Sequence, residues 1–136
     1  MTKKVDFNKY PNFVDGVTSH PSKDYQCFIE SVSALNGKGA NIERLLTAAV
    51  GISAEGGEFM EIVKKMLFQG KPWDEHNRKH LIIELGDVMW YVMQACKALD
   101  VSLDEVVEGN VDKLKKRYPG GEFNVYQSEN RKEGDL

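Results

Sequence analysis

The chain has 136 residues, 41% of them hydrophobic and 29% charged, with a net charge of −3 and a pI of about 5.6. That is enough chain for one domain with a real core, and the reading takes 1–136 as a single domain. The acidic balance excludes a global basic signature for nucleic acid. No stretch approaches the roughly 18 uninterrupted apolar residues of a membrane span. The first residues, Met-Thr-Lys-Lys-Val-Asp-Phe-Asn, lack the apolar run of a secretory signal. Cys27 and Cys96 form no CxxC pair and sit in apolar surroundings, which predicts free buried thiols and a reducing cytoplasm.

In chain order, Phe7, Tyr10, Phe13, Val14 and Val17 recur at helical spacing, so a helix is expected over 7–18. Pro11 falls in its first turn or marks a kink. Ser22 can cap a second helix, Asp24 to Asn36, with Tyr25, Phe28, Ile29, Val32 and Leu35 on one stripe and a glycine stop after it. Asn41 caps a long third helix reaching about Leu67. Gly51, Gly56 and Gly57 lie inside it, each costing roughly 1 kcal/mol against alanine. Such a concentration predicts close approach of a neighbouring helix or a ligand to the backbone.

Phe68 to Asp74 reads as a loop, and Asp74 or Asn77 caps a fourth helix over about 78–99. Its apolar positions form a stripe broad enough for a bundle interior. Asp100 ends it. Ser102-Leu-Asp-Glu105 is a capping box opening a fifth helix to Arg117, stopped by Pro119-Gly120-Gly121. Residues 119–136 read as an extended tail beyond a core of about 7–118. No strand-like alternation stands out, so the expected fold is all-α, a bundle of about five helices.

The third and fourth helices carry the chemistry. Glu55, Glu58 and Glu61 share one helix face, and Glu84 and Asp87 repeat the step in the most apolar helix of the chain. Acidic runs on helices are usually solvated faces. Here Phe59, Ile62 and Val63 interleave the glutamates, and compensating lysines are nearly absent until Lys65. Carboxylates gathered in a helical core repel one another and lose hydration unless a cation lies between them. Hard oxygen ligands suit Mg²⁺ or Mn²⁺ rather than zinc, and Mg²⁺ commonly shares its sphere with substrate phosphates.

The run Glu55-Gly-Gly-Glu58-Phe-Met-Glu61, then Glu84-Leu-Gly-Asp87 with 25 residues between Glu58 and Glu84, resembles the MazG-type all-α nucleoside triphosphate pyrophosphohydrolases. Leu85-Gly-Asp-Val-Met-Trp-Tyr91 and Asn110-Val-Asp-Lys113-Leu-Lys-Lys-Arg117-Tyr-Pro119 strengthen the likeness, which spans roughly residues 42 to 120. Ala54 stands where the family's EExxE pattern has its first glutamate. The resemblance implies Mg²⁺ ligation by Glu55, Glu58, Glu84 and Asp87, with Glu61 auxiliary and Mn²⁺ able to substitute. It implies hydrolysis of a (deoxy)nucleoside triphosphate to the monophosphate and pyrophosphate, by metal-activated water with Glu55 or Glu58 accepting the proton. It also implies a homotetramer or homodimer, consistent with an apolar helix surface larger than one small bundle must bury.

Asn110, Lys113 and Arg117 line one face of the fifth helix, available for phosphate contact or for solvent. Tyr91 shares the face of Glu84 and Asp87 and either bonds a sugar or phosphate oxygen or packs in the core. Trp73, in the loop, can stack on the base. His20, His76 and His80 have no metal spacing with the carboxylates, and the His76–His80 pair reads as surface. No nucleophile triad or phosphate-cradling loop can be argued. A non-catalytic metal-binding helical assembly module is the competing reading, kept open by Ala54.

Overall fold

The computed structural model describes residues 2–135, and all regular structure among them is helical. Six α-helices follow one another: α1 (Tyr10–Val17), α2 (Tyr25–Gly37), α3 (Ile42–Phe68), α4 (Glu75–Leu99), α5 (Leu103–Arg117) and α6 (Val125–Glu129), with a 3₁₀ turn at His20–Ser22. The chain divides into two compact units, the first ending at Ile42 and the second beginning at Glu43.

In the first unit, α1 is shorter than its apolar spacing predicts. Pro11 occupies its first turn and no side chain caps its start, so the helix begins at Tyr10 and leaves Phe7 outside. The cap of α2 is Asp24, not Ser22: the Asp24 carboxylate accepts from the Cys27 N–H at 2.8 Å, while Ser22 belongs to the 3₁₀ turn. That turn packs against α2. Lys23 Nζ donates to the Asp15 carbonyl at 2.8 Å and ties it back to α1. Neither α1 nor α2 contains a buried residue.

The second unit holds the buried residues. Ala48, Gly51 and Ile62 are buried on α3, and Asn77, Glu84 and Cys96 on α4. Both cysteines are free, Cys96 buried and Cys27 only half-buried. At the end of α3, Gly70 adopts φ 67°, which lets the Lys71 N–H return to the Lys65 carbonyl at 3.1 Å. Asp74 caps α4 through the Asn77 N–H at 2.8 Å, and the buried Asn77 amide donates to the Pro72 carbonyl at 2.6 Å. The 69–74 loop is therefore pinned on both sides of Trp73. Asp100 closes α4 in the left-handed region (φ 53°), and the Ser102–Glu105 capping box opens α5 as its spacing predicts.

Residues 119–135 are not the extended tail that their polarity suggests. Gly121 turns the chain at φ 75°, and Asn124 caps the short α6 through the Gln127 N–H at 3.0 Å. Past α6, Asp135 meets Arg117 in a bidentate pair, both bonds 2.6 Å.

Candidate functional site

The register of α3 against α4 follows from one close packing. A Cβ built on Gly51 would fall inside the ring of Tyr91, so only glycine admits that ring against the α3 backbone. One turn further along α3 lies Glu55, and one turn back along α4 lies Asp87. Glu58 and Glu84 follow in the same sense, so the helices run antiparallel and their acidic faces meet. Carboxylate oxygens of Glu55, Glu58 and Glu84 all lie within 4.8 Å of one another.

Three environments meet in this cluster. Glu58 is exposed, Glu55 half-buried and Glu84 buried. Loss of hydration raises the Glu55 carboxyl above its ordinary range, and the charges of Glu58, Asp87 and Glu84 raise it further. Asp87 thus acts on the cluster through its charge while its side chain remains exposed. Glu84 Oε1 is bound by His80 Nε2 at 2.9 Å, across one turn of α4. Glu84 Oε2 is buried without a hydrogen-bond partner. A buried, orphaned oxygen on a carboxylate that also approaches two others is expensive in a folded protein, and a divalent cation would satisfy it. The donor set, all carboxylate oxygen with one side open, fits a hard ion such as Mg²⁺ or Mn²⁺.

The raised Glu55 pKa makes a prediction for the metal-free protein. A folded-state pKa above the unfolded value contributes stability that is present below the unfolded pKa, about 4.3, and is lost as pH rises through the folded one. In EDTA, melting temperature should therefore fall for this group as pH climbs from the carboxylate range towards neutrality. Glu55→Gln should flatten that slope and melt higher than the parent at neutral pH. Thermal unfolding of both proteins across pH is the measurement, and parallel curves would remove Glu55 as the strained carboxyl.

Glu61 is not brought into this cluster. Its carboxylate is held by Lys64 at 3.0 Å and Lys65 at 3.3 Å, and those hydrogen bonds lower its pKa. Tyr91 packs by its ring on Gly51 and edge-on against Trp90, with centroids 4.9 Å apart. Trp73 is 69% exposed and lines a shallow groove of about 210 Å³ with Phe59, Arg78, Leu81, Ile82 and Leu85. Phe59 lies one turn beyond Glu55 and Leu81 one turn before Glu84, so the groove continues the carboxylate face towards the loop. Gly56 and Gly57 meet nothing within 4 Å. The expected close approach is met at Gly51 alone.

Lys113 and Arg117 line a different groove, about 680 Å³, closed by residues 132–135, with none of the four carboxylates of α3 and α4 in its lining. Arg117 is committed there. Its guanidinium fork is filled by Asp135, which holds the Asp135 carboxyl below the usual range. Asn110 is exposed and does not line that groove. Sequence reasoning missed two partners, His80 and Asp135. The first was legible as a His-x-x-x-Glu step on one helix face. The second had no local signal, since 18 residues separate it from Arg117 in number.

No helix among the described residues is long and apolar enough to cross a membrane. The chain matches the family model of the MazG nucleotide pyrophosphohydrolase domain over residues 44–121. It is also similar to the "Gene 37 protein" of Mycobacterium phage L5, 42% identical over 82 residues that cover 60% of this chain and 72% of the phage protein. No solved structure matches it.

Proposed function

Since the chain belongs to the MazG nucleotide pyrophosphohydrolase family, we propose that it hydrolyses a (deoxy)nucleoside triphosphate to the monophosphate and pyrophosphate at the α3–α4 carboxylates. The observation that carries this reading is the convergence of Glu55, Glu58 and Glu84, with Glu84 Oε2 buried and unpartnered. Glu55, Glu58, Glu84 and Asp87 are the proposed ligands of Mg²⁺, which Mn²⁺ can replace. The ion would supply charge neutralisation at the phosphates and activation of water. Glu58, the exposed member of the cluster, would orient that water. Glu55 or Glu58 would accept the proton of that water. Glu61, held by two lysines, is left with at most an auxiliary part.

The bare α3 backbone at Gly56 and Gly57 leaves room for a phosphate chain beside Glu55 and Glu58. The groove bounded by Trp73 and Phe59 supports Trp73 as the stacking partner of the base. Tyr91, one turn from Asp87, is assigned to a sugar or phosphate oxygen through its hydroxyl. Lys113 and Asn110 are assigned to phosphate contact on α5. For Arg117 that role requires release of Asp135.

Large apolar side chains on α4 and α5 stand open: Ile83 is 60% exposed, Trp90 57% and Val107 52%. They support a homotetramer or homodimer in which copies of the chain cover these faces. A stable monomer in sedimentation would count against it.

The test of the function is phosphate release after added pyrophosphatase, with Mg²⁺ and a panel of nucleoside and deoxynucleoside triphosphates. Release that needs both the protein and Mg²⁺ supports the reading. Folded protein that releases none from any nucleotide leaves the non-catalytic metal-binding assembly module.

A further inference from the structure

We propose that His80 is a positioning residue for the carboxylate cluster: its Nε2–H holds one oxygen of Glu84 so that the other faces Glu55 and Glu58, ready for a divalent cation. The inference rests on the reading of the cluster as a metal site and adds a residue that lies outside the acidic motif.

The geometry carries it. His80 Nε2 lies 2.9 Å from Glu84 Oε1, with the imidazole 46% exposed and the Glu84 side chain only 7% exposed. A carboxylate only accepts, so this contact requires a proton on Nε2. The terminal torsion of a glutamate is broad and roughly two-fold. Left alone, the Glu84 carboxylate could turn to offer both oxygens to one ion, or swing away from Glu55 and Glu58 to relieve repulsion. A hydrogen bond to Oε1 removes that freedom and fixes the orphaned Oε2 as the single ligand atom. The donor also stabilises a buried negative charge before any cation arrives. A lysine four residues before Glu84 would do so with a permanent full charge, which would compete with the metal for the same carboxylate. An imidazole carries no permanent charge and orients with less of that competition.

The partners behind metal ligands are worth about 10–100-fold in affinity. Titration with Mn²⁺ alone at pH 8, followed by electron paramagnetic resonance without nucleotide, reads this directly. His80→Ala should weaken Mn²⁺ binding by about 10–100-fold with helicity unchanged, since the ring is half-exposed and packs in no core. His80→Gln keeps an N–H that can reach Glu84 from one turn away, and should restore most of the loss. Electron spin-echo modulation of the Mn²⁺ complex should show no directly bonded nitrogen. The proposal is overturned if His80→Ala binds Mn²⁺ like the parent, if His80→Gln is as weak as His80→Ala, or if a nitrogen bonds the ion. A parent protein that binds no Mn²⁺ overturns this inference and the metal reading together. His80-dependent Mn²⁺ binding without turnover of any nucleotide overturns only the pyrophosphohydrolase reading.

Discussion

Glu84→Gln is expected to abolish Mg²⁺-dependent release of pyrophosphate, a loss of more than about 100-fold, because removing a mere outer partner of a metal site already costs about 10–100-fold. The same substitution should leave the helices intact and raise the melting temperature in EDTA. The reason lies in the two oxygens of Glu84. In glutamine, the amide oxygen can still accept from His80, while the amide nitrogen takes the place of the orphaned Oε2. That nitrogen donates towards Glu55 and Glu58 instead of repelling them, and it cannot ligate a hard cation. Gain of metal-free stability with loss of activity separates a lost ligand from a misfolded protein. Glu58→Gln and Asp87→Asn should move activity in the same direction. Glu61→Gln should do much less, as its carboxylate is engaged by Lys64 and Lys65. If Glu61→Gln alone removed activity, the division of roles among the carboxylates would be wrong.

Gly51→Ala is expected to unseat Tyr91 and loosen the pairing of α3 with α4. The added methyl would enter the Tyr91 ring, and the neighbour that must yield is a stiff aromatic wedged against Trp90. Overpacking of this kind costs about 1–3 kcal/mol, occasionally more, against the roughly 1 kcal/mol that alanine returns in helix propensity. Melting temperature should drop, and metal affinity with it, since Glu55 lies one turn from Gly51 and Asp87 one turn from Tyr91. Gly57→Ala is the internal control. Nothing lies within 4 Å of a Cβ there, so the propensity term acts alone and the metal-free protein should become slightly more stable. Thermal unfolding and Mn²⁺ titration of both variants distinguish packing at Gly51 from a general intolerance of α3 to alanine.

The helices were legible because their signals are local. The Ser102–Glu105 box, the Asp74 cap and the apolar spacing of α3 and α4 each depend on residues within a turn or two, and each forms as its pattern indicates. Where the reading failed, a local signal was weak or had a competitor. Asp24 outdid Ser22 as a cap because Ser22 was drawn into the 3₁₀ turn. The polar stretch after Arg117 holds a capped helix of only five residues, too short to show a periodicity.

Family and helical class were legible in the sequence alone, and spacing on a helix indicated which carboxylates share a face. Tertiary structure decided which of them meet. It drew Glu55, Glu58 and Glu84 together through the packing of Tyr91 on Gly51, left Glu61 to its lysines, and committed Arg117 to Asp135. It also gave the surface histidine His80 a buried glutamate as its partner. Periodicity specifies faces, but contacts between helices depend on register and depth, and these are set where two backbones can approach. On α3 that place is the one glycine that admits an aromatic ring.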